Sequence, residues 1–129
     1  MISPAIAKAS KAITNALRRR GISLVEITYD GEGDSGQIED ICVLHATNQR
    51  ASLDPPITIA LYAHKPAIPY DSLREALDAF AWILLQEYHL GYENNDGGYG
   101  TIVIDASNNS TTIDHNERVA DLVNIRTEV

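Results

Sequence analysis

The stretch Ser72–Leu90, SLREALDAFAWILLQEYHL, decides the fold class. Ser72 and Glu75 have the spacing of a capping box, in which each satisfies a backbone donor at the start of a helix. Leu73, Leu77, Phe80, Leu84 and Tyr88 recur at helical spacing, and Gly91 supplies a stop. Ala81, Trp82, Ile83 and Leu85 widen that stripe nearly all the way round, so the helix must be covered on more than one side. Its longest strongly apolar run, Ala79–Leu85, is far short of the roughly 20 residues that cross a bilayer. The stripe is therefore core rather than membrane span or cofactor box.

Upstream, Ser3-Pro4 reads as an N-cap and first-turn proline. Ile6, Ile13 and Leu17, filled in by alanines, make one apolar face, and Gly21 offers a left-handed position after Arg20. The spacing predicts a helix over Pro4–Arg20. Ile22–Tyr29 alternates, with Val25, Ile27 and Tyr29 on one face, and Ile38–Ala46 and Ile57–Ala63 are two further strands. Three strands in succession predict an antiparallel meander. Downstream, Thr101–Asp105 and Thr111–Asn116 form a hairpin around Ser107-Asn108-Asn109, and Val119–Val129 ends the chain as a strand or short helix. The expectation is one α+β domain over residues 1–129, in the order α-β-β-β-α-β-β. An antiparallel sheet of five to six strands carries both helices on one face and leaves the other more polar, open to a partner or to homodimerisation.

Charge narrows the function classes. The chain carries −8, which argues against direct nucleic-acid or anionic-membrane binding. Yet the first twenty residues hold Lys8, Lys11, Arg18, Arg19 and Arg20 with no acid, while Glu26–Asp40 holds six acids and no base. A basic helix thus precedes an acidic body, which predicts intramolecular complementarity. The lone Cys42, flanked by Ile41 and Val43, reads as a strand thiol and excludes an internal disulfide. The N-terminus lacks the pattern of a secretory signal, so a cytoplasmic setting is expected.

Several motifs fail on their context. Gly33-Asp34-Ser35-Gly36 spells a serine-protease signature, but the histidine base and orienting aspartate precede the serine in that chemistry, and here the first histidine is His45. Asp34-Ser35-Gly36 matches an aspartic-protease triplet without the apolar strand that carries it. Asp30, Glu32 and Asp34 have the spacing of the first EF-hand ligands, yet Ser35 replaces the required glycine and Ile41 the closing acid. The α-β-β-β-α order is that of double-stranded-RNA-binding domains, but Asp71-Ser72-Leu73-Arg74-Glu75 lacks the phosphate-reaching lysines.

Two constellations stay as binding candidates. One is the acidic run Asp30, Glu32 and Asp34. The other joins Glu93, Asn94, Asn95 and Asp96 of the loop YENNDGGYG to His115, Asn116 and Glu117 of DHNER, because a regular hairpin brings the start of one strand beside the end of the other. Such carboxylates, amides and imidazole suit a divalent metal or an acid–base pair. The same residues also serve as turn chemistry, since Asn and Asp satisfy backbone donors and tolerate left-handed conformations.

Taken together, GDSGQIEDI (Gly33–Ile41), the helix with Trp82 and His89, YENNDGGYG (Tyr92–Gly100) and DHNERV (Asp114–Val119) resemble an uncharacterised bacterial family of short acidic proteins. The resemblance covers Leu24 to Val119. It implies carriage on plasmids and other mobile elements and brings no catalytic residues. The leading expectation is a non-enzymatic accessory factor that binds a host or defence protein, with Glu26–Asp40 as a surface for nucleic-acid mimicry. No cofactor is required. The alternative is a divalent-metal-binding protein or metal-dependent hydrolase that uses Glu93–Asp96 with His115–Glu117.

Overall fold

The computed structural model describes residues 4–32, 35–47, 49–62, 65–88, 98–117 and 123–128. Helix α1 (Pro4–Arg19) is followed by strands β1 (Ile22–Glu32), β2 (Ser35–His45), β3 (Ile57–Ile59) and β4 (Ile68–Tyr70). Helix α2 (Leu73–Tyr88) then precedes β5 (Gly98–Asp105), β6 (Ser110–Glu117) and β7 (Val123–Glu128). The fold is α+β. A five-stranded antiparallel sheet in the order β2-β1-β5-β6-β7 carries the two helices, and β3 and β4 pair separately. Among the described residues no helix is long and apolar enough to cross a membrane.

Both helices start and stop as their residues dictate. In α2 the Glu75 amide donates to Ser72 Oγ at 3.2 Å, and Glu75 Oε2 accepts from the Asp71 amide at 3.1 Å. The box therefore closes one residue earlier than the simplest form. Leu73, Leu77, Phe80, Leu84 and Leu85 are fully buried, each worth about 1.5–3 kcal/mol before entropy. Trp82 and Ile83 pack half-buried against the core. Helix α1 buries Ile6, Ala9, Ile13, Ala16 and Leu17, and Gly21 ends it at φ +74°. That backbone conformation is strained for any residue with a Cβ.

The sheet departs from the predicted meander at its third strand. Ile57–Ile59 pairs with Ile68–Tyr70 and not with β2. Pro55 and Pro56 stop the strand upstream, and Pro69 opposite Thr58 has no amide to donate, so the segment stays short. The second edge of β1 goes instead to β5, in unbroken register from Leu24↔Asp105 to Gly31↔Gly98. The edge of β2 folds against the chain that follows it, through the Leu44↔Arg50 bridge and the Ala51 amide donating to the Val43 carbonyl at 2.9 Å. The tail resolves to a strand, β7, which pairs with β6.

Strand alternation gives the sheet two unlike faces. Toward the helices point Val25, Ile27 and Tyr29 of β1, Ile41 and Val43 of β2, Ile102 and Ile104 of β5, and Thr111, Ile113 and His115 of β6, all buried. The opposite face carries Leu24, Glu26, Thr28 and Asp30 of β1, Cys42 and Leu44 of β2, Thr101 and Val103 of β5, and Thr112 and Asp114 of β6, all half-buried or exposed.

Candidate functional site

The segment DGEGDSG (Asp30–Gly36) is strand for most of its length. β1 runs to Glu32 and β2 resumes at Ser35, with Gly31 opposite Gly36 and Glu32 opposite Ser35. Asp30 thus lies on the outer face, between Gln37 and Tyr99 in register, and the Glu32 backbone pairs with Ser35 at the end of β1. Asp34 lies outside the described residues. Two acids on one extended strand stand about 7 Å apart, which does not wrap an ion as consecutive EF-hand ligands do.

The second constellation divides. The β5–β6 register sets Gly98 opposite Glu117, Tyr99 opposite Asn116 and Gly100 opposite His115. The hairpin is regular as expected, and the first described residue after Glu93, Asn94, Asn95 and Asp96 is Gly98, opposite Glu117. Those four residues themselves lie outside the described residues. His115 points into the core at 1% exposure, whereas the neighbouring Asn116 is half-buried on the outer face. A histidine and an asparagine adjacent in a strand cannot face the same ligand, so His115 is a core residue. Among the described residues no three His, Cys, Asp or Glu side chains gather as a metal site would need.

His115 has a partner that sequence reasoning missed. Its Nδ1 lies 2.6 Å from the Tyr29 hydroxyl, and the two rings stack at 9° with centroids 5.8 Å apart. With the ring proton on Nε2 the phenol donates to Nδ1; with it on Nδ1 the ring donates to the phenol oxygen. Burial pushes the His115 pKa down, so the neutral ring is favoured. The pair meets across β5 because Gly100 sits between Tyr29 and His115 in register. A Cβ on Gly100 would lie 2.7 Å from the Tyr29 hydroxyl and would strike the Asp114 carbonyl oxygen. One on Gly98 would lie 2.7 Å from His115 Cε1. The two glycines form the floor on which the aromatic pair rests. Tyr29 falls on the same strand face as Val25 and Ile27, so its buried hydroxyl required a partner, and that was the available signal.

The outer face gathers charge. In register across the strands, Leu44 and Leu24 lie in one row, Cys42, Glu26, Val103, Thr112 and Glu128 in the next, and Asp40, Thr28, Thr101, Asp114 and Arg126 in a third. Glu26, Asp30, Asp40, Asp105, Asp114 and Glu128 are acids on this face, and Arg126 and Arg50, the latter bridged to Leu44, are bases among its described residues. Asp105 is partly occupied, accepting from the Asn108 amide and side chain at 3.2 and 2.8 Å. The half-buried Leu24, Leu44 and Cys42 make an apolar patch at the β2 edge of this face, with Val103 beyond Glu26.

At the basic end of α1 the arginines bond neutral groups among the described residues. Arg18 Nη2 donates to Asn109 Oδ1 at 3.3 Å, Arg19 Nε to the Asn15 carbonyl at 3.3 Å, and Arg20 Nη2 to the Pro56 carbonyl at 2.8 Å. All three acceptors are neutral oxygens, and among the described residues none of these arginines forms an ion pair.

Comparison with known proteins adds one finding. The model of a family of unknown function, DUF6878, matches residues 5–128. The chain belongs to this family. The DUF6878 match spans α1 through β7, so both helices and the whole five-stranded sheet lie within the family's extent. No curated protein and no solved structure matches the chain.

Proposed function

We propose that this DUF6878 protein is a non-enzymatic binding factor that docks a cationic partner protein on the outer face of its five-stranded sheet. The observation that carries the proposal is the composition of that face: six acids against Arg50 and Arg126 among the described residues, beside an apolar patch of Leu24, Leu44 and Cys42 at its β2 edge. Apolar area beside charged and polar groups is the general composition of a protein interface. Five strands present a face roughly 24 Å wide and about 24 Å along the strands, the scale of one side of a standard interface. The acids steer a cationic partner and repel anionic ones, which favours mimicry of a polyanion over binding one. The bacterial, mobile-element setting implied by the motif resemblance fits a cytoplasmic factor that acts on a host or defence protein, and we include both in the proposal.

The test is affinity capture from host cells, comparing the native chain with a Glu26→Lys/Asp40→Lys/Glu128→Lys variant. These exposed positions tolerate substitution, and circular dichroism checks that the variant folds. A specific partner, identified by mass spectrometry and released by salt, should be lost from the variant. Equal capture by both chains refutes the proposal.

A further inference from the structure

We propose that the groove between the C-terminal half of α1 and β3 binds a small molecule with an anionic head, carboxylate or phosphate, on a compact apolar body. The groove encloses about 480 Å³, within the size range of small-molecule sites. It exists because α1 presents Ala12 and Ala16 to β3, and two methyl groups leave unfilled the space that longer side chains would occupy. The buried Ile57 and Ile59 form the opposite wall, so the floor is apolar.

The mouth of the groove is cationic. Arg19 and Arg20 line it, with Arg18 one residue away, and Thr58 adds an exposed hydroxyl. The bond from Arg20 to the Pro56 carbonyl at 2.8 Å holds its guanidinium at the rim while leaving further N–H donors for a ligand. Because all three arginines bond only neutral oxygens among the described residues, their charge is uncompensated by contact. The C-terminus of α1 opposes an anion with about half an elementary charge, which the two full positive charges of Arg19 and Arg20 outweigh. The acids of the sheet lie beyond the helix layer, whose thickness of about 10 Å is roughly one Debye length at physiological salt, so they weaken the site little. A guanidinium pair selects carboxylate or phosphate by bidentate geometry. Nucleic acid is a poor fit, since the cluster is confined to one helix end and forms no stripe to follow a backbone.

The test is an amide-shift titration of the full chain by NMR with benzoate, phenyl phosphate, inorganic phosphate and the uncharged benzyl alcohol. Benzoate or phenyl phosphate should give saturable shifts confined to Ala12, Ala16, Thr58 and Ala67, with Kd below about 1 mM. Whichever of the two binds more tightly names the head group. Arg19→Gln with Arg20→Gln should weaken binding by about tenfold or more, with the rest of the spectrum unchanged. Ala67→Leu, at an exposed lining position, should block the groove while leaving the arginines in place. The inference is overturned if neither aromatic anion saturates, or if the double glutamine variant binds as well as the native chain. It is also overturned if benzyl alcohol binds as tightly as benzoate, or if inorganic phosphate binds as tightly as phenyl phosphate, because head and floor must both contribute.

Discussion

Replacing Gly100 by alanine tests the packing that sets β1, β5 and β6 against each other. The added methyl would meet the Asp114 carbonyl oxygen, which belongs to the β5–β6 ladder and cannot retreat without opening it. It would also lie 2.7 Å from the Tyr29 hydroxyl and 3.0 Å from Tyr29 Cζ, forcing the phenol off its bond to His115. Overpacking and the loss of a buried hydrogen bond together amount to about 2–6 kcal/mol. Against a total stability of about 5–15 kcal/mol, that is a large fraction. At roughly 3–5 °C per kcal/mol for a chain of this size, the midpoint should fall by about 6–30 °C in a circular-dichroism melt. Gly98→Ala should be milder, about 1–3 kcal/mol, because its methyl meets mainly the His115 ring, which can shift. A Gly100→Ala midpoint within about 2 °C of the native protein would refute the close-packed floor.

Three further outcomes follow from individual groups. Burial lowers the His115 pKa, so as pH falls the unfolded chain takes up that proton first. The resulting stability is complete above about pH 6.5 and declines below it toward the folded pKa; His115→Gln should flatten this part of the urea-unfolding profile. The Tyr88 hydroxyl is buried without a hydrogen-bond partner among the described residues, and burial raises its pKa. Tyr88→Phe should therefore leave stability unchanged or raise it by up to about 2 kcal/mol in thermal unfolding, and a clear loss would mean that the hydroxyl is bonded in solution. Ser72→Ala removes the cap of α2 and should cost about 1 kcal/mol by urea denaturation.

Local chemistry was the legible part of this fold. Ser72 and Glu75 start α2, Gly21 ends α1, and the Asn108-Asn109 turn joins β5 to β6, with Asn109 at φ 56°. Each of these rests on neighbours in sequence, where propensity and capping act. The pairing of β1 with β5 brings together segments some seventy residues apart, and nothing near Leu24 or Asp105 announces the other. Proline placement could have shown that Ile57–Ile59 leaves the sheet, since Pro56 and Pro69 bracket what β3 can pair with. The split of the DHNE cluster was also readable. Thr111, Ile113 and His115 share one parity, so a strand that buries Ile113 must bury His115 and expose Asn116. Placing His115 and Asn116 in one binding patch overlooked that alternation. Charge is less legible: among the described residues Arg18, Arg19 and Arg20 bond neutral oxygens at the end of α1, while Glu26, Asp40, Asp114 and Glu128 lie on the outer face of the sheet.

Cys42, the only cysteine of the chain, lies half-buried on that outer face, opposite Glu26 in register. Its alkylation rate with a small thiol reagent, measured with and without the captured partner, reports directly on whether the face is covered. Docking on the sheet predicts that saturating partner slows the reaction at least about tenfold and that added salt restores it. An unchanged rate in a complex shown to be fully formed would place the partner elsewhere and contradict the account.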